Sequence, residues 1–262
     1  MLEVVTTATL AEAAAAMGPG AQFLGGGTLV MRDVNYHDQA LTRIVRTTER
    51  MNEIRNEGNR VRIGAGATMA DLIAARETDF IAPAARAVGG PQVRNQATVG
   101  GNLFAAHPYG DLTVALLALD GVVHLADGRE MALDAFLAAR DGAGLVAAVS
   151  ISRPMGDAFR FRKVSRVKPK GVSVLSMAAV LNRSAGRLSG VRVAFGAMAA
   201  TPVRVPAVER ALEGADLTPQ GIAPALAAAT EGLDLPDDAL ASSWYRREVA
   251  PVHLRRLLMG EP

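Results

Sequence analysis

The chain has 262 residues, enough for one large domain or two of ordinary size. Half of it is hydrophobic, and 28 basic against 26 acidic residues leave a formal charge of +2, a weak argument for nucleic acid. Aromatic residues make up 4 %, too few for a base-stacking platform, and the lack of cysteine excludes disulfides, thiolate metal sites, a cluster held by this chain and a cysteinyl nucleophile.

The start "MLEVVTTATLAEAAAAMG" lacks a basic n-region and a long apolar run, so it does not read as a signal peptide. No stretch approaches 18 uncharged apolar residues, so no membrane insertion is expected and the chain reads as soluble and cytoplasmic. The first 35 residues suggest a β–α–β unit. "EVVTTA" is strand-like, Thr9 suits an N-cap before an Ala-rich helix over 10–17, and Gly18-Pro19-Gly20 stops it. "AQFLGGGT" is a short strand running into a Gly-rich turn, with "LVMRDV" continuing as a helix. Strands are expected at 43–47 and 60–66 with a polar connection between them, then a helix capped by Thr68. A further helix ends at Gly89-Gly90; an apolar helix covers 112–119, and strands follow at "VVHLA", after Asp127-Gly128 and at "GLVAAVSIS".

The texture changes at "RPMGDAFRFRKVSRVKPKG", which places a boundary near residue 157 with an α+β unit on each side, 1–157 and 158–262. In the second unit "VSVLSMAAVLN" and "LSGVRVAFGAMAA" read as a long antiparallel hairpin turning at "RSAG", and the rest is helical. In the last helix Val249, Val252 and Leu257 have core spacing beside a basic face.

Two glycine-rich stretches carry the chemistry. In "LGGGTLV" (24–30), three consecutive glycines let backbone amides converge and let a ligand approach closely; the plain structural reading is a tight strand-to-helix turn. It is neither G-x-G-x-x-G nor a P-loop. "TVGGN" (98–102), about 70 residues on, repeats the theme, with Gly100 and Gly101 expected to free amides and Thr98 and Asn102 supplying polar groups. Two such turns in one unit suit a ligand with two phosphates. Asp111 opens an apolar helix, where a carboxylate is a good N-cap; it could equally accept bonds from ligand hydroxyls. His107 has no carboxylate beside it in sequence, which weighs against a base or a covalent flavin anchor there. The run 160–170 holds six basic residues and reads as a solvated loop or as the source of one cleft-facing cation, Lys163. No Ser–His–Asp signature, H-E-x-x-H or metal-ligand cluster is seen. A dinucleotide grip with few catalytic groups fits a cofactor that does its own chemistry.

The chain resembles the FAD-binding medium subunit of the molybdenum hydroxylases, the family of xanthine, carbon monoxide and nicotine dehydrogenases, over essentially its whole length. "FLGGGTLV" resembles the family's A-G-G-T-[DS]-L loop, and "RIGAGATMADLI" its I-G-A-G-[VA]-T strand and helix. "QVRNQATVGGNLFAAHPYGDL" resembles Q-[VI]-R-N-x-[AG]-T-[IVL]-G-G-N-[IL] with a later S-P-x-x-D. "FRKVSRVKPKGVSVLSMAAVL" and "WYRREVAPVHLRRLL" resemble parts of its C-terminal domain. The resemblance implies a two-subdomain FAD-binding domain holding FAD non-covalently, then a smaller domain of antiparallel sheet and helices. The backbone of Phe23, Leu24, Gly25, Gly26, Gly27, Thr28, Leu29 and Val30, and of Thr98, Val99, Gly100, Gly101, Asn102 and Leu103, would hold pyrophosphate and ribityl. Asp111 would bond sugar hydroxyls, Val88 and Val146 would line the flavin, and Lys163 would stand near it. Leu29 departs from the usual Asp or Ser, His107 from Ser or Ala, and Gly25 from Ala. The implied partners are a small subunit with two [2Fe-2S] clusters and a large one with molybdopterin, as a dimer of heterotrimers. Two other readings stay open: a self-contained flavoprotein oxidase of the related vanillyl-alcohol oxidase family, whose covalent link would need His37, His107, His124 or His253, and a scaffold without cofactor.

Overall fold

The computed structural model describes residues 2–167 and 171–261. The chain opens with β1 (Glu3–Thr7), α1 (Leu10–Ala15), β2 (Ala21–Phe23), α2 (Val30–Asn35) and β3 (Arg43–Thr47). The expected β–α–β start is present, with β3 inserted between β1 and β2 so that all three run parallel. Thr9 caps α1 reciprocally with Glu12, which satisfies amides that the first helical turn would otherwise leave orphaned. A small core of Leu10, Ala13, Val45 and Leu145 backs this lobe.

The second lobe contains β4 (Ile54–Glu57), β5 (Arg60–Gly64), α3 (Met69–Ala74), a 3-10 turn, α4 (Ala82–Ala87), α5 (Pro91–Arg94), α6 (Val99–Leu103) and α7 (Asp111–Ala118). It continues with β6 (Val122–Leu125), β7 (Glu130–Ala132), α8 (Leu133–Ala143) and β8 (Val146–Ser152). Its antiparallel sheet runs β4-β5-β8-β6-β7. Four elements differ from the sequence reading: the polar connection before β5 contains β4, the stretch after Gly89-Gly90, read as a loop, holds the short helices α5 and α6, and α8 follows β7 where only strands were expected.

The last unit holds β9 (Phe159–Ser165), β10 (Ser173–Val180), the short ribbon β11 (Arg183–Ser184) and β12 (Arg187–Leu188), β13 (Arg192–Gly196) and β14 (Val203–Arg204). Helices α9 (Pro206–Leu212), α10 (Ala223–Ala227) and α11 (Ser243–Met259) complete it. The sheet order is β14-β13-β10-β9, and the expected hairpin is the antiparallel pair β10–β13. The stretch 159–165, read as a basic loop, is instead edge strand β9. Its arginines do not stand free: Arg160 donates to the carbonyls of Leu257 and Leu258, and Arg162 to that of Glu261, where α11 ends. Lys168, Pro169 and Lys170 of the same run lie outside the described residues.

All eight residues of α7 are buried, as an all-round apolar helix requires, and α7 packs on β10 and β13 as well as on α4. The main core consequently takes in Ala178, Val180 and Ala194 of the last unit. A second core lies between the last sheet and α9–α11.

Candidate functional site

The first glycine loop leaves β2 with Leu24 donating its amide to Val45 O at 2.7 Å. From there the backbone stops bonding to itself. The amides of Gly25, Gly26, Gly27, Thr28 and Leu29 find no acceptor among the described residues, until Met31 N returns to Gly27 O at the start of α2. Gly27 has φ +74, open to glycine at little cost. Gly26 needs its missing side chain for another reason: a Cβ there would sit 1.6 Å from Gln96 O. The loop therefore lies directly against the second glycine segment, with Gly25 beside Thr98 Oγ1. A row of unspent amides, three of them on glycine, is what an anionic, extended ligand needs, so the residues present fit the pyrophosphate of a dinucleotide.

The second segment does not supply such amides. Val99 N donates to Ala67 O and Gly100 N to Ala65 O, both at 2.8 Å, while Gly101 N is capped by Thr98 Oγ1 at 3.1 Å. The expectation that Gly100 and Gly101 free their amides is thus corrected: these bonds anchor α6 on the strand-to-helix turn after β5. What the segment offers is a backing for the first loop, at Gln96 and Thr98. Asn102 is buried, and its Oδ1 accepts Thr113 N at 3.0 Å and Thr113 Oγ1 at 3.1 Å, joining α6 to α7. Leu103 is core.

Asp111 is the first residue of α7, not its N-cap; that place goes to Gly110 at φ +100. Its side chain, with the residue 7 % exposed, accepts Lys163 Nζ at 2.7 Å on one oxygen and Ser173 Oγ at 2.5 Å on the other. Lys163 also donates to Ala87 O at 2.9 Å, immediately before Val88 at the end of α4. So the structure brings Asp111, Lys163 and the α4 terminus together, along with Ser173, which sequence reasoning did not single out. Leu29 and Val30 are half-buried where α2 begins, as are Phe23 and Leu24 at the end of β2. Val88 packs half-buried on the main core, and Val146 is buried within it, paired with Leu125.

His107, expected to have no carboxylate near it, has one: its Nε2 lies 2.6 Å from Asp238 Oδ2, 131 residues away. Asp238 also takes the amides of Leu240 and Ala241 and, at 2.8 Å, Arg246 Nη2. Burial pushes the Asp238 carboxyl up, but the bonds from His107, Ala241 and Leu240 and the Arg246 charge outweigh it and hold the group at about 2. Arg246, 0 % exposed, donates further to the carbonyls of Val174, Pro236 and Ala241. Val252 is half exposed; the buried stripe of α11 is Arg246, Ala250, Leu254, Leu257 and Leu258.

A second constellation lies on the five-stranded sheet. Glu130 Oε1 is 2.9 Å from His124 Nδ1, and His124 Nε2 is 2.7 Å from Ser150 Oγ, the order of a hydrolytic triad. Burial and the Arg62 cation push His124 below its ordinary pKa. Ser150 is 4 % exposed, however, so its hydroxyl has no open approach and the line serves to tie β6, β7 and β8 together.

A family model described as the FAD binding domain in molybdopterin dehydrogenase matches residues 1–152, and one described as the CO dehydrogenase flavoprotein C-terminal domain matches residues 160–260. The chain belongs to the FAD-binding subunits of the molybdopterin dehydrogenases and is an oxidoreductase subunit of that class. Among its relatives, the xanthine dehydrogenase FAD-binding subunit of Escherichia coli O157:H7 is 29 % identical over 94 % of this chain and 89 % of its own. The nicotine 6-hydroxylase medium subunit of Paenarthrobacter nicotinovorans is 27 % identical over 77 % of this chain and 75 % of its own. The fold matches a chain of the carbon monoxide dehydrogenase structure from Hydrogenophaga pseudoflava with a TM-score of 0.86 at 23 % identity, covering 98 % of this chain and 96 % of that one.

Proposed function

We propose that this chain holds FAD non-covalently between its two N-terminal lobes and relays electrons within a three-chain molybdenum hydroxylase. The carrying observation is the run of five unspent amides from Gly25 to Leu29, on a loop packed against Gln96 and Thr98 just ahead of α6. In this reading the loop amides bind the pyrophosphate in place of water, and the bonds that join α6 to α7 keep the segment behind the loop fixed. Lys163, held by Asp111 and Ala87 O, presents a cation at the end of α4 near Val88. Bound FAD supplies the capacity to take electrons one at a time and hand on a pair. The protein's part is to bind, orient and shield it, which suits the scarcity of acid–base groups around the loop.

A cysteine-free chain cannot itself hold iron–sulfur clusters by thiolates, which supports placing the two [2Fe-2S] clusters on a small partner and molybdopterin on a large one. The assembly is proposed as a cytoplasmic dimer of heterotrimers passing electrons to an external acceptor. Among the described residues no helix is long and apolar enough to cross a membrane.

The test is to purify the chain alone and with its co-expressed partner chains, and to record visible spectra before and after acid precipitation. Flavin in the supernatant, with iron and molybdenum only in the complex, is the expected outcome. Flavin left in the pellet would point to a covalent oxidase, and flavin from neither preparation would remove the relay altogether.

A further inference from the structure

The segment 104–111 joins α6 to α7 and is tied to the last unit at both ends. At Asp111 the ties are Ser173 Oγ and Lys163 Nζ, and at His107 the tie is Asp238, 2.6 Å from Nε2. Asp238 passes the contact to Arg246, and Arg246 Nε passes it to Val174 O, the residue after Ser173. The bonds close a ring, His107–Asp238–Arg246–Val174–Ser173–Asp111, with residues 107–111 as one side. Within that side stands Tyr109, whose ring centroid is 6.0 Å from the Arg32 guanidinium of α2, the helix that the first glycine loop opens into.

We infer that His107 is a positioning residue of the cofactor site: by holding Asp238 it fixes residues 107–111 on the last unit and so sets how tightly FAD is retained. The inference rests on the FAD reading above. The arrangement separates this role from one in folding. Asp238 keeps its bonds to Leu240, Ala241 and Arg246 when the imidazole is removed, so the Arg246 platform that packs α11 stays satisfied. What is lost is the tie across to the segment carrying Tyr109 and Asp111.

The experiment uses the full chain stripped of flavin, titrated with FAD and followed by quenching of flavin fluorescence, alongside thermal unfolding of the same flavin-free samples. His107→Ala is expected to raise the FAD dissociation constant about tenfold, the weight of one bond to a charged group, while the unfolding midpoint falls only by the imidazole's share of the Asp238 pairing. His107→Gln, which carries an amide donor near the Nε2 position, is expected to restore most of the affinity. Wild-type affinity in His107→Ala overturns the inference. So does a loss that follows an unfolding midpoint lowered beyond that share and is not rescued by glutamine, because the residue then acts only in the fold. If the wild-type chain binds no FAD at all, the relay reading falls first and takes this inference with it.

Discussion

A methyl group added at Gly26 and one added at its neighbour Gly25 meet different surroundings. At Gly26 the new Cβ would lie 1.6 Å from a backbone carbonyl, Gln96 O, which cannot rotate away. The two glycine segments would have to part, and the amide row would lose its backing. At Gly25 the nearest atom is Thr98 Oγ1 at 3.0 Å, a hydroxyl that can yield by a few tenths of an ångström. Gly26→Ala is therefore expected to purify without flavin, while Gly25→Ala keeps its flavin and loses about 1 kcal/mol, the low end for overpacking. The ratio of flavin to protein absorbance in the purified variants decides it, and equal retention by both would contradict the packing argument. The sequence already carried the first loop, because consecutive glycines between apolar residues advertise backbone at work. It could not show that the amides of Val99 and Gly100 are spent, since their acceptors, Ala67 O and Ala65 O, belong to another turn.

At the level of elements, what was legible had local signals, such as Thr9 with Glu12 or Thr68 with Asp71 at a helix start. The misses had signals too, hidden by charge. Strand β9 alternates Phe159, Arg160, Phe161, Arg162; the two phenylalanines pack on the main core and the arginines bond the end of α11, so basic residues there do not mean a loop. Helix α8 spaced Leu133, Phe136 and Leu137 for burial. The buried stripe of α11 begins at Arg246, which no apolar pattern admits, and that displaced the expected face onto Val252. Asp238 was invisible beside His107 because 131 residues separate them. Its pairing makes the joint between α11 and the 104–111 segment sensitive to acid. The carboxyl is held at about 2 against 3.8 when free, so its stabilisation is present above the unfolded value and disappears as pH falls from 3.8 towards 2. The contribution is about 2 kcal/mol at most. Asp238→Asn is expected to be less stable than wild type near neutrality and to converge with it in urea midpoint between about pH 4 and pH 2. Parallel acid limbs for the two proteins would show that Asp238 carries no such linkage.

For the whole molecule, the boundary near residue 157 marks a change in sequence texture, and we propose that it does not mark a folding boundary. Helix α7 lies wholly in the first unit, yet it packs on β10 and β13 of the second, and Ala178, Val180 and Ala194 complete the main core from the far side. Removing residues 158–262 would bare the face of α7 that meets β10 and β13, with Val114 against Gly196, and leave Asp111 without Lys163 and Ser173. Each large apolar side chain returned to water forfeits about 2 kcal/mol, and a whole domain keeps only about 5–15 kcal/mol in reserve. Two or three such exposures, with a buried carboxylate unpaired, are enough to consume it. A fragment of residues 1–157 is thus expected to be insoluble, or to bind a hydrophobic dye without a cooperative melt, and to take up no FAD even though every residue of both glycine segments is present. Co-expression of 158–262 as a separate chain should restore solubility and flavin together. A fragment that melts cooperatively and binds FAD by itself would show that the last unit is an appendage, and that the ring through Asp111 and His107 fastens two domains already able to stand alone.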